Sequence, residues 1–137
     1  MYVYLSSNCS KEYFPLNNSS KFTTLLPQKL DFKGKWEVAL LQIQYPPSNS
    51  SAKYSKVNVH ADFINDVIFE DNMNPILRRI NISHKGKFLN INDPYYVSIN
   101  KDHVDKMTIH IINDDGITHS FTKNPLKCTL HFRPCLT

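Results

Sequence analysis

The sequence is poor in glycine and contains no long apolar run, and both absences exclude classes of function. Three glycines in 137 residues leave almost no material for the glycine-rich loops that cradle phosphates. No stretch of 18 apolar residues is present, so the sequence predicts no membrane-spanning helix and no membrane partner. The first residues lack the basic start and apolar core of a signal peptide, which predicts a protein made inside its host cell and not secreted.

Cysteine is also scarce, and its spacing favours reduced thiols. The three cysteines are Cys9, Cys128 and Cys135. An odd number without a secretion signal is typical of free thiols, and the gap between Cys128 and Cys135 is too wide for a zinc knuckle. Cys128 lies in an apolar alternating pattern and is expected in the core.

Motifs for catalysis and metal binding are missing. The sequence contains no His-x-His pair and no Gly-x-Ser-x-Gly motif. The pair Asp114-Asp115 lies in a predicted turn, where aspartate is favoured for backbone reasons. We therefore predict no enzyme, no catalytic site, no cofactor and no metal. Three histidines lie on outward positions of separate predicted strands, and a metal-binding cluster of these side chains across one sheet remains an alternative: His60, His110 and His131.

The basic residues are mostly lysines, which bears on nucleic-acid binding. Sixteen Lys and Arg against twelve Asp and Glu give a net charge of +4, and only Arg78, Arg79 and Arg133 are arginines. Proteins that recognise specific DNA sequences favour arginine, because its planar guanidinium group forms bidentate hydrogen bonds with bases. The charge therefore predicts at most a weak, non-specific contact with nucleic acid.

Alternation of apolar and polar residues with a period of two dominates the chain and predicts strands. Clusters of Asn, Asp, Pro and Ser separate them, and Asp115-Gly116 favours a hairpin turn. The long connections 7–20 and 62–75 suit Greek-key crossings. The predicted fold class is all-β, a single eight-stranded antiparallel jelly-roll sandwich that spans residues 1–137. The eight predicted strands cover residues 2–7, 21–30, 35–46, 55–63, 74–82, 93–100, 106–113 and 126–132.

The stretch GKWEVALLQIQYPP, residues 34–47, predicts a long buried strand. Both of its alternating faces are largely apolar, so we expect it to be central and covered on both sides. Residues 62–72 predict a short helix or an irregular crossover. The side chains expected in the core include Val38, Leu40, Ile109, Ile111, Leu130 and Phe132.

Two stretches carry a resemblance to a known family. Residues 2–46, YVYLSSNCSKEYFPLNNSSKFTTLLPQKLDFKGKWEVALLQIQYP, resemble the start of a capsid protein of Polinton (Maverick) elements, which are large virus-like DNA transposons. The ending DKMTIHIINDDGITHSF, followed by LKCTLHFRP, resembles the end of the same protein. Residues 48–91 agree only in general pattern. The shared motifs are structural rather than catalytic.

The resemblance implies a component of a virion. These elements encode a double jelly-roll major capsid protein and a smaller single jelly-roll minor protein that forms the pentameric vertex. Because 137 residues are too few for two jelly rolls, the resemblance implies the penton-like minor capsid protein. Its expected partners are itself, as a homopentamer, and the major capsid protein. The ending is also compatible with a domain cut from a longer chain.

Two aromatic pairs are the candidate subunit interface: Tyr13-Phe14 in a predicted loop, and Tyr95-Tyr96 near the start of the predicted strand 93–100. An exposed aromatic pair is costly for a monomer and useful as an anchor in an interface. Tyr13-Phe14 could equally fold back over the end of the sandwich. The alternative function is a lectin-like or host-factor-binding β-sandwich module, and a metal-dependent enzyme is the third hypothesis.

Overall fold

The computed structural model describes residues 1–136, and within this range the chain folds into strands, turns and loops without a helix. The eleven strands of this range follow in chain order: β1 (Tyr2–Ser6), β2 (Lys21–Asp31), β3 (Trp36–Tyr45), β4 (Tyr54–Ala61), β5 (Val67–Phe69), β6 (Asn72–Asn74), β7 (Ile76–Ser83), β8 (Lys87–Asn90), β9 (Val97–Ser98), β10 (His103–Asn113) and β11 (Lys127–Pro134).

Two antiparallel sheets form the body of the protein. The first sheet has the order β1-β11-β3-β8, and β9 pairs with the first residues of β3 on the same side as β8. The second sheet has the order β2-β10-β4-β7, and β5 and β6 form a separate hairpin between β4 and β7. Apolar residues of both sheets share one core, so the predicted all-β antiparallel sandwich is confirmed.

All eight predicted strands overlap an observed strand, but two regions differ from the prediction. Residues 62–72 form neither a helix nor an irregular crossover, since they contain β5 and lead into β6 of the hairpin. The predicted strand 93–100 is reduced to the two residues of β9, and β8 was not predicted. Both β8 and β9 pair with β3, so they form one edge strand interrupted by residues 91–96.

A β-bulge explains why both faces of β3 look apolar. Leu40 pairs with Leu130 while Gln42 pairs with Thr129, which leaves Leu41 as an extra residue. Val38 and Leu40 therefore face the core before the bulge, and Ile43 and Tyr45 face it afterwards. The central position of β3 is confirmed. The expectation of cover on both faces holds only for part of the strand, because outward Ala39 is fully buried, whereas outward Gln42 is half-buried and outward Gln44 is exposed.

The core is closed at one end by aromatic rings. Phe132 stacks on Phe32 with centroids 5.4 Å apart, and it contacts Phe63 at 5.8 Å. Trp36 is half-buried, packs against Phe32 and donates its indole N–H to the Lys33 carbonyl at 3.0 Å. The six side chains predicted in the core are all fully buried, as is Cys128: Val38, Leu40, Ile109, Ile111, Leu130 and Phe132.

Candidate subunit interface

The loop between β1 and β2 holds the first predicted aromatic pair, and it is anchored by Asn17. The buried Asn17 amide donates to the carbonyls of Cys9 (3.1 Å) and Thr23 (2.8 Å), and its Oδ1 accepts from the Thr23 N–H (2.9 Å). Tyr13 is 61% exposed, whereas Phe14 is half-buried. The pair is therefore split: Tyr13 is available to a partner, and Phe14 is partly covered by the protein itself.

The second predicted pair lies just before β9, and its Tyr96 is on the outer face of the first sheet. Tyr95 is 64% exposed, whereas Tyr96 is half-buried and its hydroxyl lies 2.7 Å from Nδ1 of His131. The Arg133 guanidinium lies 3.4 Å from the centre of the Tyr96 ring, and its Nε donates to Glu37 at 2.7 Å. Cation–π contact and the ion pair hold Tyr96 in place, so Tyr95 is the member free to meet another molecule.

The structure does not bring the two aromatic pairs together. Tyr96 contacts His131, which pairs with Tyr2 at the beginning of β1. The loop that carries Tyr13 leaves the other end of the same strand, which is five residues long, roughly 13 Å at 3.3 Å per residue. The two pairs are therefore separate surfaces and not one continuous interface.

Exposed aromatic residues that the sequence analysis did not single out lie on the outer face of the first sheet. Tyr4 is 74% exposed and Phe88 is 50% exposed, and Tyr2 is exposed beside them in β1. Tyr2 and Tyr4 alternate with the inward Val3 and Leu5, so the alternation in the first strand could have identified both tyrosines as outward residues. Phe88 lacked such a signal because β8 is short and was not predicted.

A trough on this outer face lies between Tyr4 and Phe88 and has a volume of about 320 Å³. Tyr4 is on β1 and Phe88 is on β8, three strand spacings away, which is roughly 14 Å at 4.8 Å per spacing. The turn before β8 is fixed by Gly86, whose φ is +81° and where an added Cβ would lie 2.8 Å from the Pro47 nitrogen. The outward side chains that line the trough are Ser6, Gln42, Gln44, Lys127 and Thr129.

The β5–β6 hairpin covers part of the outer face of the second sheet. One of its faces is attached to the body, because Val67 packs against the core and Phe69 lies under the Arg79 guanidinium at 4.8 Å. Its other face carries Ile68, which is 79% exposed, and its cross-strand partner Met73, which is 59% exposed. The hairpin is therefore a fixed projection with an apolar outer face.

The three histidines considered as a metal cluster do not meet. His60 and His110 are cross-strand partners on the second sheet, whereas His131 is on the first sheet. Burial lowers the pKa of His60 against the opposing charge of Asp66, and burial, Lys21 and His60 lower the pKa of His110. Burial, the N-terminal amine and Arg133 lower the pKa of His131. These histidines are therefore mostly uncharged near neutral pH.

Two buried titratable groups, those of His119 and Cys128, occupy structural positions. Within residues 1–136, no group of three His, Cys, Asp or Glu side chains is arranged to hold a metal ion. The buried Ser48 hydroxyl lies 2.8 Å from Nε2 of His119, whose pKa is lowered by burial. This contact joins the loop of Ser48 to the loop of His119. The N–H of Ser48 also donates to the His84 carbonyl, in a third loop, at 2.9 Å. Burial raises the pKa of the Cys128 thiol to about 12, which makes it inert.

Comparison with protein family models and with curated proteins found no match for this chain. Among the described residues, no helix is long and apolar enough to cross a membrane. The fold and the surface define an antiparallel β-sandwich with an exposed aromatic face on one sheet and an apolar hairpin on the other.

Proposed function

We propose that this chain is a penton-like minor capsid protein of a Polinton-like virus or element, folded as a single jelly roll. The pairing of the strands supports the jelly roll. If β8 and β9 count as one strand and the β5–β6 hairpin is set aside, eight strands remain. The first then pairs with the eighth, the second with the seventh, the third with the sixth and the fourth with the fifth. A long antiparallel hairpin rolled into two sheets has this pairing, and viral capsid and lectin domains use it.

The observation that carries the proposed assembly is the aromatic outer face of the first sheet. Tyr2, Tyr4 and Phe88 expose large rings there. Exposed aromatic residues are typical of a surface that binds another protein, where tyrosine and phenylalanine are enriched. The role is structural and requires neither catalysis nor a cofactor.

The proposed partners follow from this role. The chain assembles with itself, as a pentamer at the capsid vertex, and with a double jelly-roll major capsid protein in the virion. Jelly rolls in a closed ring make heterologous contacts, in which two different surfaces of each subunit meet. The spread of lysine over the surface permits a weak, non-specific contact with nucleic acid.

Sizing of the purified protein by light scattering, with electron microscopy of the same sample, tests the proposal. We expect a ring of five subunits, formed either by the protein alone or after co-expression with the major capsid protein. Each interface should bury more than about 1,000 Å². A protein that stays monomeric in both experiments at every concentration would contradict the proposed function.

The alternative function is a lectin-like or host-factor-binding module, and the trough favours it. Tyr4 and Phe88 flank the amide side chains of Gln42 and Gln44, so aromatic faces and hydrogen-bonding groups occur together. A monomer that binds saccharides on a glycan array, with binding lost in Tyr4→Ala, would support this function over the capsid role.

A further inference from the structure

The outer face of the β5–β6 hairpin is unusual for an isolated subunit. Ile68 and Met73 are directly opposite each other and both are largely exposed, although Val67 and Phe69 hold the hairpin against the body. A hairpin held in this way does not need an apolar outer face for its own stability. We call Ile68 and Met73 the apolar pair.

The turn of the same hairpin is acidic. Glu70 and Asp71 are both exposed, and neither forms an ion pair with another described residue. We call these two residues the acidic tip. The hairpin therefore presents an apolar surface next to two carboxylates, and a complementary surface would be apolar with basic groups at its rim.

The trough on the first sheet has these properties. Tyr4 and Phe88 form its apolar walls, and Lys127 lies on its lining. Lys87, at the beginning of β8, pairs with the inward Tyr45 and so lies on the opposite face of β8 from Phe88, outside the trough. Lys127 forms no ion pair within the described residues. The walls are roughly 14 Å apart, which leaves room for two strands separated by about 4.8 Å and their side chains.

We propose that the hairpin of one subunit docks into the trough of a neighbouring copy. The apolar pair lies between the two aromatic walls, and the acidic tip pairs with Lys127 of the trough. This inference rests on the proposed assembly and names the two surfaces that form it. The occupant is a second copy of this chain because one molecule carries both complementary surfaces, in charge as well as in width.

The position of the two surfaces determines the kind of assembly. The hairpin lies on the outer face of the second sheet and the trough lies on the outer face of the first, so they point away from each other. One subunit therefore cannot bury both against the same partner. The contact is heterologous and repeats from subunit to subunit, which closes a ring when the rotation per subunit permits it.

Charge reversal on each surface tests the proposal. The hairpin variant is Glu70→Lys with Asp71→Lys, and the trough variant is Lys127→Glu. We expect each variant to raise the protein concentration needed for assembly at least tenfold, as measured by light scattering. The combined variant restores opposite charges across the contact, so we expect it to assemble at a concentration close to that of the wild type.

Two further variants separate the contact from folding and from net charge. Ile68→Ser with Met73→Ser should weaken assembly while the melting temperature of the monomer stays unchanged, because both side chains are exposed. Lys101→Glu changes the charge by the same amount as the trough variant, at an exposed lysine outside the trough. We expect this control to assemble like the wild type.

The outcomes distinguish this inference from the proposed function. If the wild type assembles and both reversal variants assemble equally well, the docking is wrong and the capsid role stands. If both reversals abolish assembly and the combined variant does not restore it, the pairing of these two surfaces is also wrong. If the wild type is a monomer in every condition and its trough binds a saccharide, the proposed function itself fails.

Discussion

Replacing Leu130 by aspartate tests the strand assignment at the centre of the first sheet. Leu130 is fully buried on β11 and is paired with Val3 on β1 and Leu40 on β3. Truncation of such a leucine to alanine costs about 2–5 kcal/mol, since it removes apolar contacts and leaves a cavity. An unpaired carboxylate at the same place adds several kcal/mol, because the charge loses its water without gaining a partner.

These magnitudes can be compared with the whole stability of the domain. Domains of this size are stable by about 5–15 kcal/mol, so Leu130→Asp should leave little or no folded protein. Leu130→Ala should remain folded and melt about 10 °C lower, because each kcal/mol corresponds to roughly 3–4 °C for a chain of 137 residues. The alanine variant therefore gives a measurable loss of stability even where the aspartate variant does not fold.

Thermal melting followed by circular dichroism measures the effect, and Thr129→Asp is the matched control. Thr129 is the neighbouring residue, but it is half-buried on the outer face and makes only a long 3.4 Å hydrogen bond to Gln42. We expect the control to lose less than about 1 kcal/mol. A Leu130→Asp variant that melts cooperatively within a few degrees of the wild type would refute the inward orientation of β11.

The pH dependence of Leu130→Asp gives a second readout. Burial raises the pKa of the introduced carboxyl in the folded state above its unfolded value of about 3.9. The folded state therefore holds the proton more tightly. The destabilisation relative to the wild type is smallest at pH values below the unfolded-state pKa of about 3.9. It should grow as the pH rises through the folded pKa. A loss of stability that does not change with pH would show that the carboxyl is solvated.

Three further predictions concern the loops and the histidines. Asn17→Ala should cost about 1–3 kcal/mol in urea unfolding, because the buried backbone groups of Thr23 lose their partner; an unchanged midpoint would contradict this anchoring role. Phe14→Ser should lower the melting temperature, whereas Tyr13→Ser should leave it unchanged and weaken assembly; the reverse pattern would make Tyr13 the core residue. Stability should fall as the pH decreases below 6.5, because the folded-state pKa values of four histidines are lowered and the unfolded state binds more protons. Urea unfolding at pH 7.5 and 5.5 measures this loss, which should be smaller in His119→Gln and would be absent if the histidines were solvated.

Alternation in the sequence was sufficient to predict most of the strands and their inward residues. In β10, Met107, Ile109 and Ile111 alternate with more polar residues, and all three are buried. This signal is local, because side chains of a strand alternate between two faces whatever the partner strand is. The same reasoning correctly placed Cys128 in the core.

The bulge in β3 could not be predicted from its own residues. Val38 and Leu40 before it and Ile43 and Tyr45 after it are apolar, so the pattern reads as a strand that is buried on both faces. The change of face at Leu41 is defined only by the register against β11, a strand far away in the sequence. A bulge depends on the partner, and the sequence of one strand does not contain that information.

The short strands and the candidate docking surfaces also could not be predicted from the sequence. The β5–β6 hairpin and β8 are three or four residues per strand, too short for a periodic pattern, and they form because the sandwich supports them. Tyr4 and Phe88 are distant in sequence and become two walls of one trough only through the pairing of β1, β11, β3 and β8.

The sequence by itself determined that this protein is an antiparallel all-β sandwich, and which side chains of its long strands face the core. Those properties follow from local alternation and from turn residues, which act over a few positions. The tertiary structure alone decided where β3 changes face, which aromatic residues remain exposed, and that the trough and the hairpin point in opposite directions. These properties depend on the pairing of strands that are distant in the sequence, which no local pattern contains.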